Sequence, residues 1–233
     1  MDFTARNAAV LWTGGKDSCL ALHEALDAGC PVRELLTFAP PEPEFLAHPV
    51  AVMRLQADAL SLPHRLLRVE KPYGENYERH IRALKEQDGI DLLITGDIAE
   101  VGGSPNWIRR CCKPAGMAVA TPLWGRDRLS LLEQLLARRF RVLFSCVKTR
   151  WLGASWVGRE LDDATVAGLR TAHTRSGLDL CGEEGEYHTL TTDAPRFQQR
   201  LQFHGGSVRL AEGFAYWHVG NVELAGKERE ILA

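Results

Sequence analysis

The chain has 233 residues, enough for one large domain with a sizeable core, or one domain with a small appendage. Lys plus Arg number 28 against 30 Asp plus Glu, a formal net charge of -2, and 45% of residues are hydrophobic, the mixture of a soluble globular protein. That balance lacks the basic excess that neutralises a nucleic-acid backbone, and no apolar run reaches the ~20 residues of a membrane span, so neither nucleic acid nor membrane is an expected partner.

Short apolar runs alternate with longer amphipathic ones. Residues 8–12 read as a strand that ends at Gly14-Gly15, and 18–28 as a helix, with Cys19, Leu22, Ala25 and Leu26 at helical spacing and Gly29 at its stop. A second strand over 32–38 precedes a stiff loop with Pro40, Pro41 and Pro43, then a helix over 50–60. Strand 64–69, helix 76–87 and strand 91–95 follow. A loop with Gly96, Gly102 and Gly103 leads to a helix around 106–113, a short strand at 117–120, a helix over 128–139 and a buried strand at 142–147. This rhythm predicts an α/β fold, a doubly wound parallel sheet covered on both faces. Beyond about Thr149 it breaks: one helix over 163–173, a Gly/Glu loop, and antiparallel strands near 207–210 and 215–219. The expected division is a nucleotide-binding domain over 1–148 and a smaller substrate-binding portion over 149–233.

The segment Thr13-Gly14-Gly15-Lys16-Asp17-Ser18 lies where the first strand hands over to the first helix. In a parallel sheet that is the carboxyl edge, where ligands bind. Two glycines let the backbone pass close to an anion, and the helix start presents unpaired N–H groups. Thr13 and Ser18 add hydroxyls and Lys16 a positive charge, the parts needed to hold a polyphosphate. A Walker A loop would require glycine where Val10 stands and Ser or Thr where Asp17 stands. The segment resembles instead the Ser-Gly-Gly-x-Asp-Ser loop of the PP-loop ATP pyrophosphatases, with Thr13 in place of the first serine. In that family the loop grips the β and γ phosphates and leaves the α-phosphorus open to attack.

A second segment, Cys181-Gly182-Glu183-Glu184-Gly185-Glu186-Tyr187-His188-Thr189, is neither helical nor alternating and crowds three carboxylates, which repel unless a cation or donors lie close. With Asp193-Ala194-Pro195 and Phe197 after it, it resembles the signature of the diphthine–ammonia ligase family, a PP-loop branch. Gly96-Asp97-Ile98, Pro122-Leu123-Trp124, Leu152-Gly153 and 157–161 match in the family's order, over about residues 8–201. The resemblance implies a Rossmann-like fold and a ligase using ATP and Mg²⁺. A substrate carboxylate would be adenylated with release of pyrophosphate, and ammonia would then displace AMP. It implies that Thr13 to Ser18 with Gly96 and Asp97 bind the nucleotide, that Lys16 and Asp17 act in catalysis, and that Asp17 and Asp97 hold the metal. Glu183, Glu184, Glu186 and Tyr187 would shape the acceptor pocket. The family's named acceptor is diphthine on an elongation factor, and a homodimer is compatible with the chain.

The chain departs from the family's pattern at Glu184, usually glycine, at His188, usually glutamate, and over 99–108. A tRNA sulfur-transfer enzyme or a non-catalytic nucleotide sensor would use the same loop. The six cysteines (19, 30, 111, 112, 146 and 181) form no Cys-x-x-Cys, which suits small hydrophobes in a reduced, cytoplasmic protein better than a sulfur relay. No signal-peptide order opens the chain. Arg138, Arg139 and Arg141 read as a solvated helix end, the scattered histidines as surface or core residues, and the tryptophans as packing residues before stacking ones.

Overall fold

In the computed structural model, which describes residues 7–100 and 106–227, β1 (Ala8–Leu11) is almost wholly buried, as an uninterrupted apolar run requires of a strand covered on both faces. It is the centre of a five-stranded parallel sheet with β2 (Val32–Ala39), β3 (His64–Arg68), β4 (Leu92–Ile94) and β5 (Ala118–Ala120), in the order β3-β2-β1-β4-β5. Successive side chains of β1 point to opposite faces. Ala8 and Val10 enter the larger core with α1 (Lys16–Asp27), α2 (Val50–Leu60) and α5 (Arg128–Ala137). Ala9 enters a smaller one with α3 (Tyr73–Glu86) and α4 (Trp107–Cys112). Strand order reverses at β1, so the crevice between the carboxyl ends of β1 and β4 is the switch point at which such sheets bind ligands.

The strand expected over 142–147 is present as β6 (Arg141–Lys148), but it does not extend the parallel sheet. It pairs antiparallel with β7 (Tyr187–Asp193) on one side and β9 (Phe214–Ala225) on the other, in a second sheet ordered β7-β6-β9-β8, with β8 (Arg200–Ala211) at the edge. Its run of buried residues reads the same in either kind of sheet, and only the partners decide. The expected division after residue 148 falls at the end of this strand. A second difference is β7 itself: the stretch read as loop through Thr189 becomes strand at Tyr187, where the β-branched Thr189, Thr191 and Thr192 pack against β6. The closing hairpin is also longer than its two predicted pieces.

Helix ends follow local chemistry. Asp127 caps α5 by accepting from the Ser130 N–H, and Asp162 with Thr165 forms a capping box at α6 (Asp163–Ser176), which stops at Gly177 in the left-handed region. All six cysteines are buried and unpaired by disulfide. Arg138 and Arg141 are ion-paired, to Glu24 and Asp27 and to Glu160 respectively, rather than merely solvated. Residues 101–105 of the divergent 99–108 region, with Gly102 and Gly103, lie outside the described residues. Among the described residues no helix is long and apolar enough to cross a membrane.

Candidate active site

The turn after β1 is held from three sides. Gly14 has φ +75°, a conformation glycine adopts without a Cβ clash. Its carbonyl accepts from the Thr191 N–H at 2.9 Å and from Gln56 Nε2 at 2.9 Å. Gln56 also donates to the Thr191 carbonyl and accepts from the Trp12 indole N–H. The Lys16 N–H donates to Thr189 Oγ1 at 3.1 Å. Thr13 Oγ1 and Ser18 Oγ lie 3.2 Å apart across the turn, and the first-turn amides of α1 have no acceptor within the helix. The loop's shape therefore depends on α2 and β7 as much as on its own glycines.

Lys16 is buried, with Nζ 2.7 Å from Asp17 Oδ2 and 2.6 Å from the Cys181 carbonyl, 5.2 Å above the Tyr187 ring. Burial alone would lower its pKa, but Asp17, Tyr187 and Cys181 outweigh that and hold the ammonium above its ordinary range. Burial pushes the Asp17 carboxyl upward against the pull of Lys16. Gly96 packs so tightly that a Cβ on it would lie 2.6 Å from the Ser18 nitrogen, which brings the end of β4 onto the start of α1. Asp97 follows, its Oδ2 accepting from Thr95 Oγ1 and from Asn106 Nδ2.

These groups line one cavity of about 700 Å³. Its polar side carries Thr13, Gly15, Lys16, Asp17, Ser18, Gly96 and Asp97, and its apolar side Leu36, Phe38, Tyr77 and Trp107. Of the acidic segment, Glu183 and Tyr187 line the cavity, whereas Glu184 and Glu186 are not among its lining residues. Glu183 accepts from the Ile98 N–H at 3.2 Å, and burial, then the Asp17 charge, raises its carboxyl to about 7. Glu186 is 2% exposed and turns into its own loop, accepting from the N–H groups of Asp179 and Glu184. It therefore builds the acidic loop from within, a role any carboxylate that answers two backbone donors can fill. Tyr187 donates its hydroxyl proton to the Leu180 carbonyl, and burial raises its pKa well above the usual range.

Sequence reasoning gave no role to Gln56, Asp179 or Thr189, read His48 with the other histidines as a surface or core residue, and marked His188 only as a departure from the family's pattern. Gln56 and His48 sit on segments with no ligand signature of their own. Thr189 lay within the quoted signature, but its contact with the turn needs the strand β7.

Residues 6–119 match the Diphthamide synthase N-terminal domain, and residues 127–228 the Diphthamide synthase C-terminal domain. The chain is 24% identical over 236 residues to the diphthine–ammonia ligase of Bos taurus, covering 89% of this chain and 87% of that protein. The Homo sapiens protein of the same name gives the same figures. The Schizosaccharomyces pombe one is 26% identical over 213 residues, 82% of this chain and 35% of the yeast protein. With both domains matched in order along nearly its whole length, the chain belongs to the diphthine–ammonia ligase family.

Proposed function

We propose that this protein is an ATP-dependent, AMP-forming ligase that converts a carboxylate into an amide, with diphthine as the acceptor named for its relatives. The observation that carries the reading is the meeting of the Thr13–Ser18 turn, Gly96-Asp97 and Glu183 in one cavity at the switch point of the sheet. The turn and the start of α1 would hold the β and γ phosphates, and Lys16, fixed by Asp17 and the Cys181 carbonyl, would offset charge on the departing pyrophosphate. The acceptor carboxylate attacks the α-phosphorus, breaking its bond to the bridging oxygen. Ammonia then attacks the acyl carbon, releasing AMP and losing a proton. Glu183, with its carboxyl raised to about 7, is suited to orient the incoming nitrogen or take that proton.

Among the described residues no cluster of three His, Cys, Asp or Glu side chains could hold a metal unaided. Magnesium needs only one or two carboxylates when phosphates complete its shell. Asp17 and Asp97, which line the same cavity as the turn, fit that requirement. When bound there it would neutralise charge on the phosphate oxygens. A sulfur relay is not favoured, since Cys111 and Cys112 are buried on α4 and burial raises both thiols.

Incubation with ATP, Mg²⁺, ammonium and a diphthine-bearing acceptor should yield AMP and pyrophosphate in equal amounts. ADP and phosphate as products would overturn the reading. Lys16→Ala should slow turnover by about 100-fold or more, with circular dichroism unchanged.

A further inference from the structure

Beside the Gly14-Gly15 turn, the cavity wall is made by two histidines that the reaction as described does not use. His48 comes from the segment between β2 and α2, and His188 from β7. Their rings meet edge to face with centroids 5.2 Å apart, and His48 Nε2 lies 3.4 Å from His188 Nδ1. His48 Cε1 is also 3.4 Å from where a Cβ on Gly15 would sit, so the ring edge abuts the turn. Both rings line the cavity.

Burial, then the neighbouring His188, holds His48 down to about 3, and burial, then Lys16, lowers His188, so both rings are neutral near pH 7. Two neutral imidazoles carry two N–H protons, and one lies between the rings. The other must sit on His48 Nδ1 or on His188 Nε2. His48 Nδ1 is buried and makes no hydrogen bond, although the nearby Thr13 backbone favours its protonated form. With the inter-ring proton on His48 Nε2, the second donor is the His188 Nε2–H, on a residue that lines the cavity beside the turn. Lys16 already gives two of its donors to Asp17 and the Cys181 carbonyl, and a neutral pair adds a hydrogen bond without burying a second cation.

We propose that His48 and His188 act as one donor unit on the terminal phosphate of a bound nucleoside triphosphate, distinguishing it from a monophosphate. This rests on reading Thr13–Ser18 as the polyphosphate turn. Calorimetric binding of ATP, inorganic pyrophosphate and AMP to the full chain, His48→Phe, His188→Phe and His188→Gln tests it. Each Phe variant should weaken ATP and pyrophosphate about tenfold and leave AMP within about twofold, and His188→Gln, which keeps an N–H donor, should recover most of the loss. Equal loss for ATP and AMP, or no loss, overturns the assignment. Should the Phe variants not fold, ¹⁵N-histidine spectra of the unaltered protein decide: pyrophosphate must shift both imidazoles, and unchanged signals overturn the proposal. An unaltered protein that binds no pyrophosphate overturns the turn reading as well. Firm pyrophosphate binding indifferent to the His variants overturns the histidine assignment alone.

Discussion

Gln56 is 0% exposed and its amide answers three groups, the Trp12 indole N–H, the Gly14 carbonyl and the Thr191 carbonyl, and a Cβ on Gly14 would lie only 2.3 Å from its Oε1. Glycine at 14 is thus required twice, by φ and by the amide beside it. Gln56→Leu would strand a buried indole N–H and weaken support for two carbonyls. We expect a loss of about 2–4 kcal/mol in urea unfolding, with weaker ATP binding measured on the fraction still folded. An unchanged midpoint would mean that the turn holds its own shape. Nothing in the amphipathic pattern of 50–60 marks this glutamine, because a buried polar residue inside a helix is recognised only from what it faces. Lys16, by contrast, was singled out from its place after a glycine pair at a strand–helix handover, and Asp17 from the resemblance that the same segment carries.

At the scale of elements, β1, β2, β4 and α1 follow directly from the order of apolar runs, and they position the turn. The second sheet did not follow. β6 has the same buried run as a parallel strand, β8 runs mostly through exposed residues, and glycines interrupt both β8 and β9, so the apolar residues that do pack on the core (Phe203, Trp217, Val219, Val222 and Leu224) do not signal the strands' length. The acidic segment stands out in sequence, but its carboxylates divide by direction, Glu183 toward the cavity and Glu186 into the loop, which residue type cannot reveal. Gly96 joins two elements: with its Cβ position 2.6 Å from the Asp17 carbonyl carbon, Gly96→Ala must part β4 from α1. We expect a loss of about 1–3 kcal/mol in stability and a marked rise in the ATP dissociation constant, read by unfolding and calorimetry. Normal affinity would show that the two elements need not touch.

Across the whole molecule, acid stability should be governed by buried imidazoles. His23 is fully buried between α1 and the segment after β7: Nδ1 donates to the Cys19 carbonyl at 2.8 Å while Nε2 accepts from the Arg196 N–H at 3.2 Å. Both nitrogens are committed in the neutral ring, and burial lowers its pKa to about 4. Below pH 6.5 the unfolded chain binds a proton that the native state refuses, so this contribution is complete above 6.5 and is lost as pH falls toward 4. His48 acts in the same direction, while Glu183, raised to about 7, opposes it by favouring the fold as pH falls from 7 to 4.5. His23→Gln should therefore flatten the pH dependence of unfolding free energy by about 1.4 kcal/mol per pH unit between 6 and 4.5. A slope equal to that of the unaltered protein would exclude His23 as its source. The stitching of Lys16 to Thr189 has one more consequence. The two residues are separated by 173 positions. During synthesis the glycine turn emerges from the ribosome early, yet its lock arrives only when β7 has been made, so a growing chain should gain the power to retain nucleotide late and abruptly, well after the first sheet has closed.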